Sequence, residues 1–70
     1  MFADYEVVKL RQDMPSKKLK AGARGTILMA YPETPQAYEV EFLDSEGDTI
    51  AVLTVQQNEL VAVTSEELAA

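Results

Sequence analysis

Apolar residues along this chain recur in short alternating runs separated by turn-forming residues, the pattern of small β-strands rather than helices. The clearest run is Tyr38-Glu39-Val40-Glu41-Phe42. A strand sends successive side chains to opposite faces, so Tyr38, Val40 and Phe42 are expected inward and Glu39 and Glu41 toward water. Tyr5-Glu6-Val7-Val8-Lys9-Leu10 predicts a first strand rich in β-branched and aromatic residues. Its inward face is open: Val8 and Leu10 share one side, Tyr5 and Val7 the other. Thr26-Ile27-Leu28-Met29-Ala30-Tyr31 predicts a second strand, and Glu59-Leu60-Val61-Ala62-Val63 a closing one.

The intervening residues carry turn chemistry. A long polar loop runs from Arg11 to Arg24, with a turn at Met14-Pro15-Ser16 and one strong apolar anchor, Leu19. Gly22 and Gly25 at its end predict a positive φ or a close backbone approach at a tight corner. Pro32 and Pro35 bracket the next loop, because neither fits a central strand.

Asp44-Ser45-Glu46-Gly47-Asp48 predicts a hairpin: Ser45 and Glu46 in a type I turn and Gly47 in the left-handed position after it. An uninterrupted ladder from that turn pairs Phe42 with Ile50 and Val40 with Val52. Ile50 and Val52 then join the core, while Ala51, Leu53 and Val55 point outward beside Glu41 and Glu39. Gln56-Gln57-Asn58 predicts a short 3-10 turn. Thr64-Ser65-Glu66-Glu67-Leu68 begins like a capped helix but is followed by only two alanines, so a frayed tail is expected.

Strand, long loop, three strands on shorter connections, a helical turn and a fifth strand is the order of an SH3-like barrel. The expected fold is therefore all-β: a small SH3-like five-stranded barrel with a long loop after the first strand. It occupies residues 1–64 as one domain, with 65–70 as a short tail.

Charge sharpens this picture more than composition does. The net charge is −6, and all six basic residues fall between Lys9 and Arg24. Nine of the twelve carboxylates lie from Glu33 onward, where there is no Lys or Arg. An acidic region of this kind suits solubility or a basic partner. The absence of Cys removes disulfides, thiolate chemistry and cysteine-ligated metals. For so small a domain it points to a reducing cytoplasm. Met1-Phe2-Ala3-Asp4-Tyr5-Glu6 has no basic start or apolar stretch and does not read as a signal peptide.

Without His or Cys, the usual general-base and nucleophile pairings are missing. Ser16, Ser45 and Ser65 sit in turns with no evident base. Glu39 and Glu41 are close, but a glycosidase-like pair needs a cleft between its carboxyls. Asp44, Glu46 and Asp48 alternate like the start of a calcium loop, yet Gly47 comes too early and the later bidentate glutamate is missing. No catalytic, cofactor or metal residue is assigned, and the expectation is that the chain is not an enzyme.

The segments Tyr5–Leu10, Leu19-Lys20-Ala21-Gly22-Ala23-Arg24-Gly25-Thr26-Ile27, Tyr38–Phe42 and Gly47–Val55 together resemble a bacterial family of very short proteins, domain of unknown function 4926. The resemblance covers nearly the whole chain and implies no activity, cofactor or site residue. The glycine pair followed by a strand also resembles KOW-type barrels of ribosomal and transcription proteins.

Two functional expectations follow. The first is a cytoplasmic protein-interaction module, of an antitoxin, immunity or accessory type, that binds a protein partner through Glu39, Glu41, Leu53 and Val55. The alternative is a nucleic-acid or ribosome-associated barrel using Lys17, Lys18, Lys20 and Arg24 on phosphates. The −9 carried by residues 25–70 opposes that approach, and Phe2, Tyr5, Tyr31, Tyr38 and Phe42 are expected in or near the core rather than as stacking platforms. A homodimer through Ala51, Leu53 and Val55 is a third arrangement the pattern allows. No membrane partner is expected.

Overall fold

The structure, a computed structural model, describes residues 2–32 and 36–69. Five strands, β1 (Val7–Leu10), β2 (Arg24–Tyr31), β3 (Ala37–Leu43), β4 (Thr49–Gln56) and β5 (Leu60–Ala62), form one antiparallel sheet in the order β4-β3-β2-β1-β5. Short 3-10 turns occupy Pro15–Lys17 and Gln57–Glu59, and α1 (Ser65–Ala69) follows β5. Pro35 and its neighbours 33–34 lie outside the described residues. The all-β expectation holds, and so does the order of elements.

Closure into a barrel does not. No ladder joins β4 to β5 among the described residues, so the sheet is open. β5 has three residues and spends its pairing on β1, with Val8 opposite Ala62 and Leu10 opposite Leu60. The sheet instead curves until its two ends share one core. Val55 of β4 and Leu60 of β5 belong to the same buried cluster as Val8, Leu10, Ile27, Tyr38, Val40 and Phe42.

Alternation decides most of that core. Tyr38, Val40 and Phe42 are fully buried, as the sequence predicts. On β1 the buried face is Val8 and Leu10. Tyr5 is not near-core: it is 75% exposed and sits at a positive φ of 65°, a turn just before β1. Leu19 is buried, held by paired backbone bonds with Met14 around the turn at Pro15–Lys17. The Asp13 carboxylate accepts the Ala21 N–H at 2.8 Å and fixes the far side of this loop.

The two glycines divide their roles. Gly22 has φ +88° and open space around it, so it serves backbone conformation. Gly25 is a close approach: a Cβ there would lie 2.7 Å from Val40 Cγ1 and 2.9 Å from the Glu41 carbonyl oxygen.

The hairpin turn forms as expected. Gly47 takes φ +86°, and the Asp44 N–H donates to the Asp48 carbonyl. The strand beyond it does not keep the expected register. Leu43 pairs with Thr49 but Phe42 pairs with Ala51, so Ile50 is an extra residue, a β-bulge. The slip reverses both faces of β4. Val55 is fully buried, Leu53 packs against the core, and Ile50 and Val52 are about half exposed. Side-chain size accounts for the slip. Phe42 has Gly25 on one side in the sheet and Ala51 on the other. An isoleucine in the place of Ala51 would crowd the buried ring.

The tail is also more ordered than expected. Thr64 caps α1: its Oγ1 accepts the Glu67 N–H at 3.2 Å, and its own N–H donates to Glu67 Oε1 at 3.4 Å. Lys9 Nζ of β1 donates to Glu67 Oε2 at 2.6 Å, which ties the helix to the sheet.

Candidate functional site

The outer face of β3 and β4 gathers the acidic residues that alternation sends outward. Glu39 stands between Met29 of β2 and Thr54 of β4, and Glu41 between Thr26 and Val52. Both glutamates are half-buried. Their carboxylates lean toward β4, because threonine hydroxyls on that strand donate to them. Thr54 Oγ1 reaches Glu39 Oε1 at 2.8 Å, and Thr49 Oγ1 reaches Glu41 Oε2 at 2.6 Å. Tyr31 OH adds a longer bond of 3.3 Å to Glu39 Oε1. Neither glutamate has an ion-pair partner among the described residues. Around them lie the exposed apolar side chains of Met29, Ile50 and Val52.

Of the four residues expected to bind a partner, the fold brings Glu39 and Glu41 together and separates Leu53 and Val55 from them. The bulge at Ile50 turns Leu53 and Val55 to the core face. The apolar residues that accompany the glutamates are Val52 and Ile50, which the sequence reading placed inside. The signal missed was the Gly25–Phe42–Ala51 triple, visible only once β2, β3 and β4 are aligned.

The basic residues are divided as well. Lys17, Lys18 and Lys20 are exposed in the β1–β2 loop, Lys18 at a positive φ of 58°. Arg24 lies elsewhere, on β2 opposite Lys9. Two cations directly opposed in a ladder repel. Glu67 relieves this: its carboxylate accepts from Lys9, and its backbone carbonyl accepts from Arg24 Nη2 at 3.3 Å. The Lys9 ammonium, and then the Thr64 backbone N–H, hold the Glu67 carboxyl below the usual glutamate range.

Asp44, Glu46 and Asp48 converge at the hairpin tip, all exposed, with carboxylate oxygens within 4.8 Å of one another. Asp44 Oδ1 already accepts the Glu46 and Asp48 N–H groups, both at 2.9 Å. That carboxylate therefore serves the turn.

A surface cleft of about 570 Å³ at the 3-10 turn Gln57–Glu59 shares no lining residue with the acidic face. Its lining includes Phe2, Arg11, Gln56, Gln57 and Asn58. Two of these lining residues are tied to the core by the buried Tyr38 hydroxyl, which accepts the Phe2 N–H at 2.9 Å and donates to Gln57 Oε1 at 2.7 Å. Arg11 is the one charged residue of this lining among the described residues. Among the described residues no acid–base pair faces the cleft.

The family model described as Domain of unknown function (DUF4926) matches residues 4–62. The chain belongs to this family. The DUF4926 match covers all five strands, the acidic face and the basic loop, and stops before α1. No curated protein and no solved structure matches the chain. Among the described residues of this DUF4926 member, no helix is long and apolar enough to cross a membrane.

Proposed function

We propose that the chain is a protein-interaction module that covers a basic surface of a protein partner with the outer face of β3 and β4. The observation that carries this reading is the pair Glu39 and Glu41. They lie side by side, are fixed by threonines and have no ion-pair partner among the described residues, with Met29, Ile50 and Val52 exposed beside them. Exposed apolar side chains beside charge of one sign suit a recognition surface for a partner of the opposite sign. Charge complementarity would speed encounter and exclude acidic partners, while the apolar residues slow release. Masking a basic surface suffices for an antitoxin, an immunity protein or an accessory subunit alike.

The test compares capture from host lysate by the natural chain, by an E39Q/E41Q variant and by a K17A/K18A/K20A variant, each with and without nuclease. One dominant protein that survives nuclease and is lost with the glutamine variant supports the reading. Capture that disappears with nuclease and with the alanine variant would overturn it in favour of nucleic acid.

A further inference from the structure

β4 is an edge strand of eight residues, and no hydrogen bond joins it to any described element other than β3 along Thr49–Val55. The opposite edge, β5, has only three residues and runs directly toward α1. Exposed edges of natural sheets are usually guarded by Lys, Pro or shortness. β4 has neither Lys nor Pro, and its one irregularity is the bulge at Ile50, at its start. The geometry points to β4 as the docking edge for an extended basic segment of a partner protein, which would add to the sheet as a further strand. This rests on the acidic-face reading above and specifies how that face is reached.

Charge selects the occupant. A strand added beside β4 places alternate side chains over the outer face, next to Val52 and Thr54. Basic side chains there can extend across β4 toward Glu41 and Glu39, whose carboxylates the β4 threonines already turn that way. The other set of side chains would lie beside Ala51 and Leu53 and extend the core, so small apolar residues suit them. The preferred segment therefore alternates basic and apolar residues. A second copy of this chain fits poorly. Its β4 would bring Glu39, Glu41 and the acidic tip Asp44, Glu46 and Asp48 against their own likeness, in a region with no Lys or Arg.

The experiment titrates the full chain with a short acetylated, amidated peptide alternating lysine and valine. A twin N-methylated at alternate backbone positions serves as the comparison. Binding is read by calorimetry and by amide exchange along β4. Edge docking predicts slowed exchange at the alternate β4 amides that face away from β3, and about tenfold or greater weakening by N-methylation, because several backbone bonds are lost at once. It also predicts weaker binding by E39Q/E41Q. If both peptides bind equally and only the glutamine variant weakens them, the acidic face binds without strand addition and the edge inference falls alone. If β4 exchange slows regardless of the glutamates, the basic occupant is wrong. A doubling of solution mass without peptide would name a second copy instead. No binding by either peptide overturns the edge inference and leaves the capture comparison to judge the acidic face.

Discussion

Gly25 shows how much of this fold hangs on one missing side chain. It lies opposite Phe42 in the ladder, and a Cβ would meet the Glu41 carbonyl oxygen at 2.9 Å as well as Val40 and Phe42. A flexible side chain could move aside, but a backbone carbonyl in a central strand cannot move without disturbing its pairing. Gly25→Ala should therefore cost about 1–3 kcal/mol, the usual range for overpacking. Gly22 is the useful contrast, because an added Cβ there meets nothing and only its positive φ opposes substitution. Gly22→Ala should cost about 1 kcal/mol, a backbone effect. Urea unfolding of both variants checks this: crowding at Gly25 raises the cost there alone, and equal losses would show that the close approach is not real. The sequence marked both glycines as special but could not assign the two roles, because a close approach depends on which strand lies alongside.

β4 is the element where local pattern misled and the tertiary pairing decided. Thr49–Gln56 alternates equally well in either register, with apolar residues at 50, 51, 52, 53 and 55, so periodicity alone cannot choose a face. β3 was legible because glutamates occupy its outward positions, whereas β4 has apolar residues on both sides. The consequence is testable side chain by side chain. Val55→Ala should destabilise by about 1.5–3 kcal/mol, the worth of a buried valine, while Val52→Thr should stay within about 0.5 kcal/mol. Thermal melts with the reverse order would restore the uninterrupted hairpin register. The helix α1 departed from expectation for a related reason. Five residues are too few to hold a helix alone, and it persists through the Thr64 cap and a bond to Lys9, 58 positions earlier in the chain. The Glu67 carboxyl is held low, so this contact contributes above the ordinary glutamate range. It is lost as pH falls through the depressed folded value. Amide shifts of Leu68 and Ala69, followed through an acid titration, should move with that transition. In K9M the helix should already be loose at neutral pH, and indifference of those amides to both changes would mean the tether does not hold α1.

At the scale of the whole molecule, charge and the free edge of β4 oppose each other. A net charge of −6, with every cation confined to residues 9–24, surrounds the exposed Ile50 and Val52 with negative potential. That potential is what discourages one β4 from pairing with another, since the strand itself carries no Lys or Pro. Protonation removes it. Near the isoelectric point of about 4.3 the net repulsion vanishes while the edge and its apolar side chains remain. The chain should therefore stay monomeric at neutral pH and self-associate as pH approaches that value, with higher salt promoting association earlier by screening. Light scattering along a pH series measures this directly. Loss of the Glu67 contact in acid is a second route to exposed surface, so a variant must separate the two causes. Val52→Lys places a charge on the edge strand without touching the core or α1. Measured at its own isoelectric point, it should remain dispersed if β4 is the associating surface. If it associates as readily as the natural chain, the sticky surface lies elsewhere, and the case for β4 as a docking edge weakens with it.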